Sequence, residues 1–277
     1  MKQNSKCQEK RDIRVIIGNP PYSVGQKSEN DNAKNLSYPK LDNYIHETYV
    51  ARSKSVNLRS LYDSYIRAIR WASDHIKDCG VIGFVTNAGF INARSTDGLR
   101  KCLSEEFSSI YILNLRGDIR KNMLSKGRAQ EGQNIFGSGS MTGIAITILI
   151  KNPDITEPCK IYYYDIGNNL TRKEKLSELQ RFGSIGGIKR EHGWQVITPD
   201  EHVDWINQRN SDFEKLLALG DRKGGDLKLF ETFSGGVQTN RDAWAYNSSR
   251  EALAKNMSNM ITFYNNEVER FNATFSL

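Results

Sequence analysis

The feature that most constrains this chain is a short β-branched run, Val15-Ile16-Ile17-Gly18, that breaks directly into Asn19-Pro20-Pro21-Tyr22. Valine and isoleucine fit a pleated strand. Two successive prolines cannot donate to a sheet ladder and so end it. Each proline also holds the residue before it in an extended conformation, which gives the Pro20 carbonyl a fixed direction. The pattern predicts a buried strand from Arg14 to Ile17 ending at Gly18. Its tip carries an amide side chain, a rigid carbonyl and an aromatic ring. A plain rigid turn is the alternative at this level, because asparagine and proline are both turn formers.

Downstream, the periodicity alternates. Residues 1–12 read as a ragged lead-in, and residues 23–56 as a long exposed loop with one helical turn near Asp42–Val50. Leu58, Leu61, Tyr62, Tyr65, Ile69, Ala72 and Ile76 recur at three- and four-residue spacing and predict an amphipathic helix stopped by Gly80. Val81–Thr86 is the next strand, followed by a turn at Asn87-Ala88-Gly89. A helix from about Ser95 buries Leu99, Cys102, Leu103 and Phe107. Ile110–Leu115 and Thr142–Ile150 are two further strands. Strands alternating with helices argue for an α/β, doubly wound, largely parallel sheet. The last two strands are joined by residues 116–140, which have no helical period, so that pair is expected to be antiparallel. A long irregular connection inside a compact domain points to function. Ile161–Ile166 reads as a strand, Arg172–Phe182 as a helix, Gly183–Gly187 as a loop, Asp200–Leu219 as helical, Gly220–Gly225 as a linker and Ser248–Phe271 as a helix.

Composition removes several classes. Hydrophobic residues make up 38% and charged residues 26% of the 277, as in packed globular chains. The apolar stretch Ile144–Ile150 is too short to span a bilayer, and the polar start lacks the core of a signal peptide. Cys7, Cys79, Cys102 and Cys159 match no zinc spacing, the four histidines are dispersed, and no metal site is expected. These traits predict a cytoplasmic protein without a membrane partner. Gly183-Ser184-Ile185-Gly186-Gly187 is not a dinucleotide fingerprint, and no phosphate-binding Gly-x-x-x-x-Gly-Lys-Ser/Thr occurs. Asp154, Glu157 and Lys160 read as surface charge, and Asp118, His46 and His192 have no evident partners in the sequence.

The net charge of +7 favours a polyanionic partner, although a basic solvated surface accounts for it equally well. Ligands of open α/β sheets sit at the carboxyl ends of strands, where Asn19 lies. The lone pair of a planar amine such as adenine N6 is delocalised into the ring. Two acceptors on its two N–H bonds, the Asn19 side-chain oxygen and the Pro20 carbonyl, favour a more tetrahedral nitrogen and aim its lone pair outward. Tyr22 can stack on the base, which is worth about 1–3 kcal/mol. Transfer of a methyl group from a sulfonium then needs positioning and electrostatics rather than a general base. A base inside a duplex must be flipped out to reach such a site. Phe136 is the candidate for its opposite face, with anchoring of the loop in the core as the competing role. Arg116, Arg120, Lys121, Lys126 and Arg128 are candidate phosphate contacts, with a solvated charged loop as the competing role.

Asn19–Tyr22 and the stretches SLYDSYIRAIRWA (Ser60–Ala72), GVIGFVTNAGFI (Gly80–Ile91), ILNLRGDIRKN (Ile112–Asn122) and FSGGVQTNRDAWAYN (Phe233–Asn247) resemble adenine-N6 DNA methyltransferases. The likeness is to the single-polypeptide type ISP restriction–modification enzymes. It implies that Asn19, Pro20, Pro21 and Tyr22 hold a flipped adenine of double-stranded DNA, with Phe136 opposite, and that S-adenosylmethionine is the donor. It also implies the C-terminal half of a Rossmann-like methyltransferase sheet, mostly parallel with its last strand antiparallel. The expected organisation is a catalytic part over 1–152, a connector over 153–226 and the start of a DNA-recognition domain over 227–277. The glycine-rich first strand and the acidic residue that bind the donor in this family precede Asn-Pro-Pro-Tyr, and nothing before Arg14 matches them. The expectation is a fragment, inactive alone, that needs a chain or segment carrying the first half; helicase and nuclease modules are likewise not encoded. A non-catalytic DNA-binding remnant and a protein-glutamine methyltransferase are the competing readings.

Overall fold

The computed structural model of the protein describes residues 12–21, 38–119, 121, 130–137, 141–191, 193–206, 208–210, 212, 215–220, 227–234, 236, 239 and 242–275. The chain divides into two compact units, Met1–Arg209 and Asn210–Leu277.

The first unit is built on β1 (Val15–Gly18), β2 (Gly80–Asn87), β3 (Ser109–Arg116), β4 (Ile144–Lys151), β5 (Lys160–Asp165) and β6 (Gln195–Ile197). They form one six-stranded sheet in the order β1-β2-β4-β3-β5-β6. β1 is parallel to β2 and β3 is parallel to β5, while β4 runs antiparallel to both β2 and β3 and β6 antiparallel to β5. The expected antiparallel pairing across residues 116–140 is present. β4 inserts between β2 and β3, so the strand of opposite direction splits the parallel set rather than extending it.

Alternation along the strands makes two faces. On the first face, α1 (Pro39–Ile45, continued by a wider turn at His46–Val50), α2 (Ser64–His75) and α3 (Asp97–Glu106) bury Ile45, Tyr49, Ile66, Ile69, Leu99 and Leu103 against Ile82, Ile110 and Ile112. On the second face, α4 (Arg172–Phe182) and α5 (Ile185–Glu191) pack Phe182 and Ile188 against Leu113, Leu115 and Ile144. α4 begins at a capping box between Thr171 and Glu174 and ends at Gly183 in the left-handed conformation, φ 61°. Those signals lie in the sequence, and the predicted helix boundaries match.

Six expectations change. β1 is an edge strand rather than a buried one: Val15 is 59% and Ile17 81% exposed, because β2 is its one neighbour and the second-face helices pack over β3 and β4 instead. The helical turn expected near Asp42–Val50 is present and extends over Pro39–Val50, since Pro39 opens the first turn and Ile45 and Tyr49, one turn apart, are fully buried; residues 22–37 lie outside the described residues. The long helix starts at Ser64 and ends at His75, with a 3₁₀ turn at Arg59–Tyr62 before it. Gly80 does not cap that helix; it opens β2, where a Cβ would lie 2.4 Å from the Arg14 carbonyl oxygen. Gly186 and Gly187 belong to α5, and the described part of Asp200–Leu219 holds no α-helix.

The reason for the last change is a buried charge. The Arg100 guanidinium is fully buried and donates to the carbonyls of Val203, Phe90 and Ala93 and to Asp204 at 2.7 Å. Asp204 also accepts from Arg209, and its own amide donates to Asp200. Val203 and Asp204 thus turn a carbonyl and a carboxylate to Arg100. Removing one partner of such a buried pair costs about 3–5 kcal/mol.

The second unit holds α6 (Arg250–Phe275) and a parallel bridge between Ala218 and Lys228. The helix expected over Ser248–Phe271 is present and runs slightly further. No helix among the described residues is long and apolar enough to cross a membrane.

Candidate functional site

The carboxyl ends of β1 and β2 and the amino end of β4 share one edge of the sheet. Gly18 pairs with Phe84, and the last residue of β2, Asn87, pairs with the first of β4, Ile144. Asn19 therefore leaves the ladder beside Val85, and β2 overruns it. Asn19 and Pro21 are exposed and Pro20 is half-buried, so the amide side chain stands at an open strand end. Tyr22 lies outside the described residues.

Next to this tip the chain turns at Asn87, whose side-chain oxygen accepts the Gly89 amide at 2.7 Å. The Ala88 amide donates to the Gly143 carbonyl at 2.8 Å, which ties the turn after β2 to the residues that lead into β4. β3 ends in a sharp bend: Arg116 has φ 54° and Gly117 φ 90°. Arg116 is half-buried and donates to Asp165 at 2.6 Å and to Asn168. Burial opposes its charge, but Asp165 outweighs burial and raises its pKa. Arg116 is thus already committed to a carboxylate. Lys121 is exposed, its amide bonded to Asp118 and its ammonium 4.0 Å from Glu131. Arg120, Lys126 and Arg128 lie outside the described residues.

Phe136 sits on a turn held from several sides. Residues 130–133 form a ribbon between the end of β3 and the loop before α4: Gly117 donates to Glu131, Asn169 to Gln130 and Gln133 to Leu170. Gly132, at φ 64°, is required there, since a Cβ would lie 2.3 Å from the Leu170 carbonyl oxygen. Asn134 is buried; its amide donates to Gly117 O at 3.1 Å and Thr142 O at 2.8 Å, and its oxygen accepts the Phe136 amide at 2.9 Å. Arg172 donates to Ile135 O at 2.8 Å. Within this turn Ile135 is the core anchor, 9% exposed, and Phe136 is 43% exposed. An open cleft of about 450 Å³ is lined by Ile119, Gly132, Gln133, Asn134, Gly137 and Arg172.

Sequence reasoning missed Lys175. It is fully buried near the start of α4, and its ammonium donates to Leu115 O at 2.7 Å, Glu131 O at 3.0 Å and Gln133 O at 2.7 Å. Burial pulls its pKa down to about 8; Glu131 and Asp165 pull upward and Arg116 downward. Nothing in the charged run Arg172-Lys173-Glu174-Lys175 marks one lysine as buried. Asn134 and Arg172 were also missed; the partner of Arg172, Ile135, lies 37 residues away, and Asn134 bonds backbone carbonyls that no side-chain pattern marks.

Comparison with known proteins places this arrangement. Residues 2–119 match the Eco57I restriction-modification methylase family, and residues 228–275 match the Type ISP C-terminal specificity domain. The chain resembles the methylase and specificity region of Type ISP restriction-modification enzymes. It is similar, at 46% identity over 96% of its length and a TM-score of 0.87, to the ATP-dependent Type ISP restriction-modification enzyme LlaBIII, solved bound to DNA. A nuclease-deletion mutant of the Type ISP enzyme LlaGI, in complex with a DNA substrate mimic, matches at 44% identity over 99% of the chain, TM-score 0.87. A DrdV–DNA complex matches at 33% identity over 96%, TM-score 0.81. The chain spans 17%, 25% and 26% of the lengths of these three proteins. No functionally curated protein matched it.

Proposed function

We propose that this segment holds the acceptor base of a site-specific DNA methyltransferase, with adenine N6 as the acceptor. The observation that carries the reading is one strand edge: an exposed Asn19 and the Pro20 carbonyl at the open end of β1, and an exposed Phe136 on a pinned turn before β4. The turn that carries Phe136 is bonded to Gly117, just past the end of β3, and to Thr142, just ahead of β4, and those two points lie at the same end of the sheet as the tip of β1.

In this reading Asn19 and Pro20 accept the two N–H bonds of the amine, and Tyr22 and Phe136 hold the faces of the base. Pro21 fixes the direction of the Pro20 carbonyl. Lys121, Arg120, Lys126 and Arg128 meet phosphates, which position the duplex without reading it, while Arg116 is held by Asp165 at the end of β3. Residues from about 227 onward open the domain that recognises the DNA sequence. S-adenosylmethionine, the donor that the methylase family implies, supplies an electrophilic methyl group. The described residues fit the acceptor side of that reaction; the glycine-rich turn that would hold the donor is not among them. The face of β1 that carries Val15 and Ile17, exposed among the described residues, supports docking of a segment that carries it.

The test is methyl transfer from tritiated S-adenosylmethionine to unmodified genomic DNA by the complete enzyme. Asn19→Ala should lower kcat by about 10²–10³-fold, the scale on which one aimed polar group contributes in a preorganised site, with DNA affinity unchanged. Unchanged turnover would remove Asn19 from the chemistry; a DNA-binding protein that never methylates would favour the non-catalytic reading.

A further inference from the structure

Lys175, like Arg100, carries a fully buried charge in the first unit. A lysine near the start of a helix lies against the helix dipole, and a buried charge is costly unless its hydrogen bonds are met. Here they are met in full: an ammonium has three donors, and three backbone carbonyls receive them, Leu115 from the end of β3 and Glu131 and Gln133 from the ribbon. Both ribbon carbonyls lie within five residues of Phe136. Arg172, one helical turn earlier on α4, holds Ile135 by the same means. The carbonyls of Glu131, Gln133 and Ile135 are thus all bound by cations on the first turns of α4. Hydrogen bonds to charged donors are roughly twice as strong as neutral ones, so the turn is held by its strongest class of polar contact.

We propose that Lys175 is the positioning residue of the aromatic turn: its ammonium fixes the 130–133 ribbon to the end of β3 and so sets where Phe136 stands. The proposal rests on the reading that Phe136 faces the base, and the mounting itself is testable apart from that reading. Lys175 touches no substrate; it acts through the ribbon.

The experiment is ¹⁹F NMR of the full chain carrying 4-fluorophenylalanine at position 136, with single-stranded oligodeoxyadenylate as the probe, since an unpaired base needs no flipping. Wild type should give one sharp resonance that shifts on adding oligodeoxyadenylate. Lys175→Met should lose that single line, by splitting or exchange broadening, while circular dichroism shows the sheet and helices intact. Lys175→Gln, which keeps part of the donor set, should fall between and serves if the methionine variant does not fold. A sharp line at the wild-type position in the folded variants overturns the proposal. A sharp wild-type line that oligodeoxyadenylate does not move overturns instead the assignment of Phe136 to the base, and leaves the mounting to be judged by linewidth.

Discussion

The aromatic turn and the tip of β1 stand on the same edge of the sheet and are held in opposite ways. The turn is clamped by Asn134, Arg172 and Lys175, with Ile135 sunk into the second core. The tip of β1 has one ladder neighbour, one partly buried side chain in the first core, Ile16, and two exposed ones. In a short surface turn, position must come from satisfied polar groups, because there is little apolar surface to bury. In an edge strand, position comes from the ladder and from whatever covers its faces. Among the described residues, the turn is fixed by polar bonds and the tip of β1 by its ladder to β2.

The comparison can be broken first at Asn134. Asn134→Ala leaves the Gly117 and Thr142 carbonyls without this donor in a buried setting, and urea unfolding should show a loss of about 1–3 kcal/mol. A smaller loss would mean that the turn is not held as described.

Lys175 sharpens the same point through pH. Its pKa in the folded protein is about 8, against an ordinary value of 10.5. Between those values the unfolded chain keeps the proton that the folded protein has shed. The unfolded state then binds more protons, and stability rises with pH. The stability of wild type relative to Lys175→Met should therefore climb as pH is raised from about 8 towards 10, read from urea midpoints. A difference that falls over this window would contradict the burial of the ammonium.

The smallest effect belongs to the open end. Ile17→Ala removes an exposed side chain, and its cost to the isolated chain should stay within about 0.5 kcal/mol. In the complete enzyme the same change should cost more, if a further segment covers that face; equal costs in both settings would leave the face without a partner.

How far the sequence could be read follows the same division. The strands were legible because their apolar runs are bounded by turn residues, and α4 because Thr171, Glu174 and Gly183 mark both of its ends. The tip at Asn19 was legible because two prolines leave a strand few options. Pro39–Val50 was legible only as one turn near Asp42–Val50, because its polar surface hides two buried residues, Ile45 and Tyr49, at a single spacing. Residues 200–209 read as helical because nothing local announces that Arg100, about a hundred positions earlier, takes their polar groups. Phe136 could be singled out as an aromatic in a charged loop, but its mounting could not, since Lys175 reaches back 60 residues to Leu115. Local chemistry shows in sequence; long-range polar satisfaction does not.

The central claim is that Asn19 and Pro20 receive the amine of an extruded adenine. A structure of the complete enzyme on unmodified target DNA tests it most directly. The account predicts the Asn19 side-chain oxygen and the Pro20 carbonyl both at hydrogen-bond distance, about 3 Å, from the adenine N6, with Phe136 against the ring. An adenine still stacked in the duplex, or extruded to a place away from the end of β1, would contradict it.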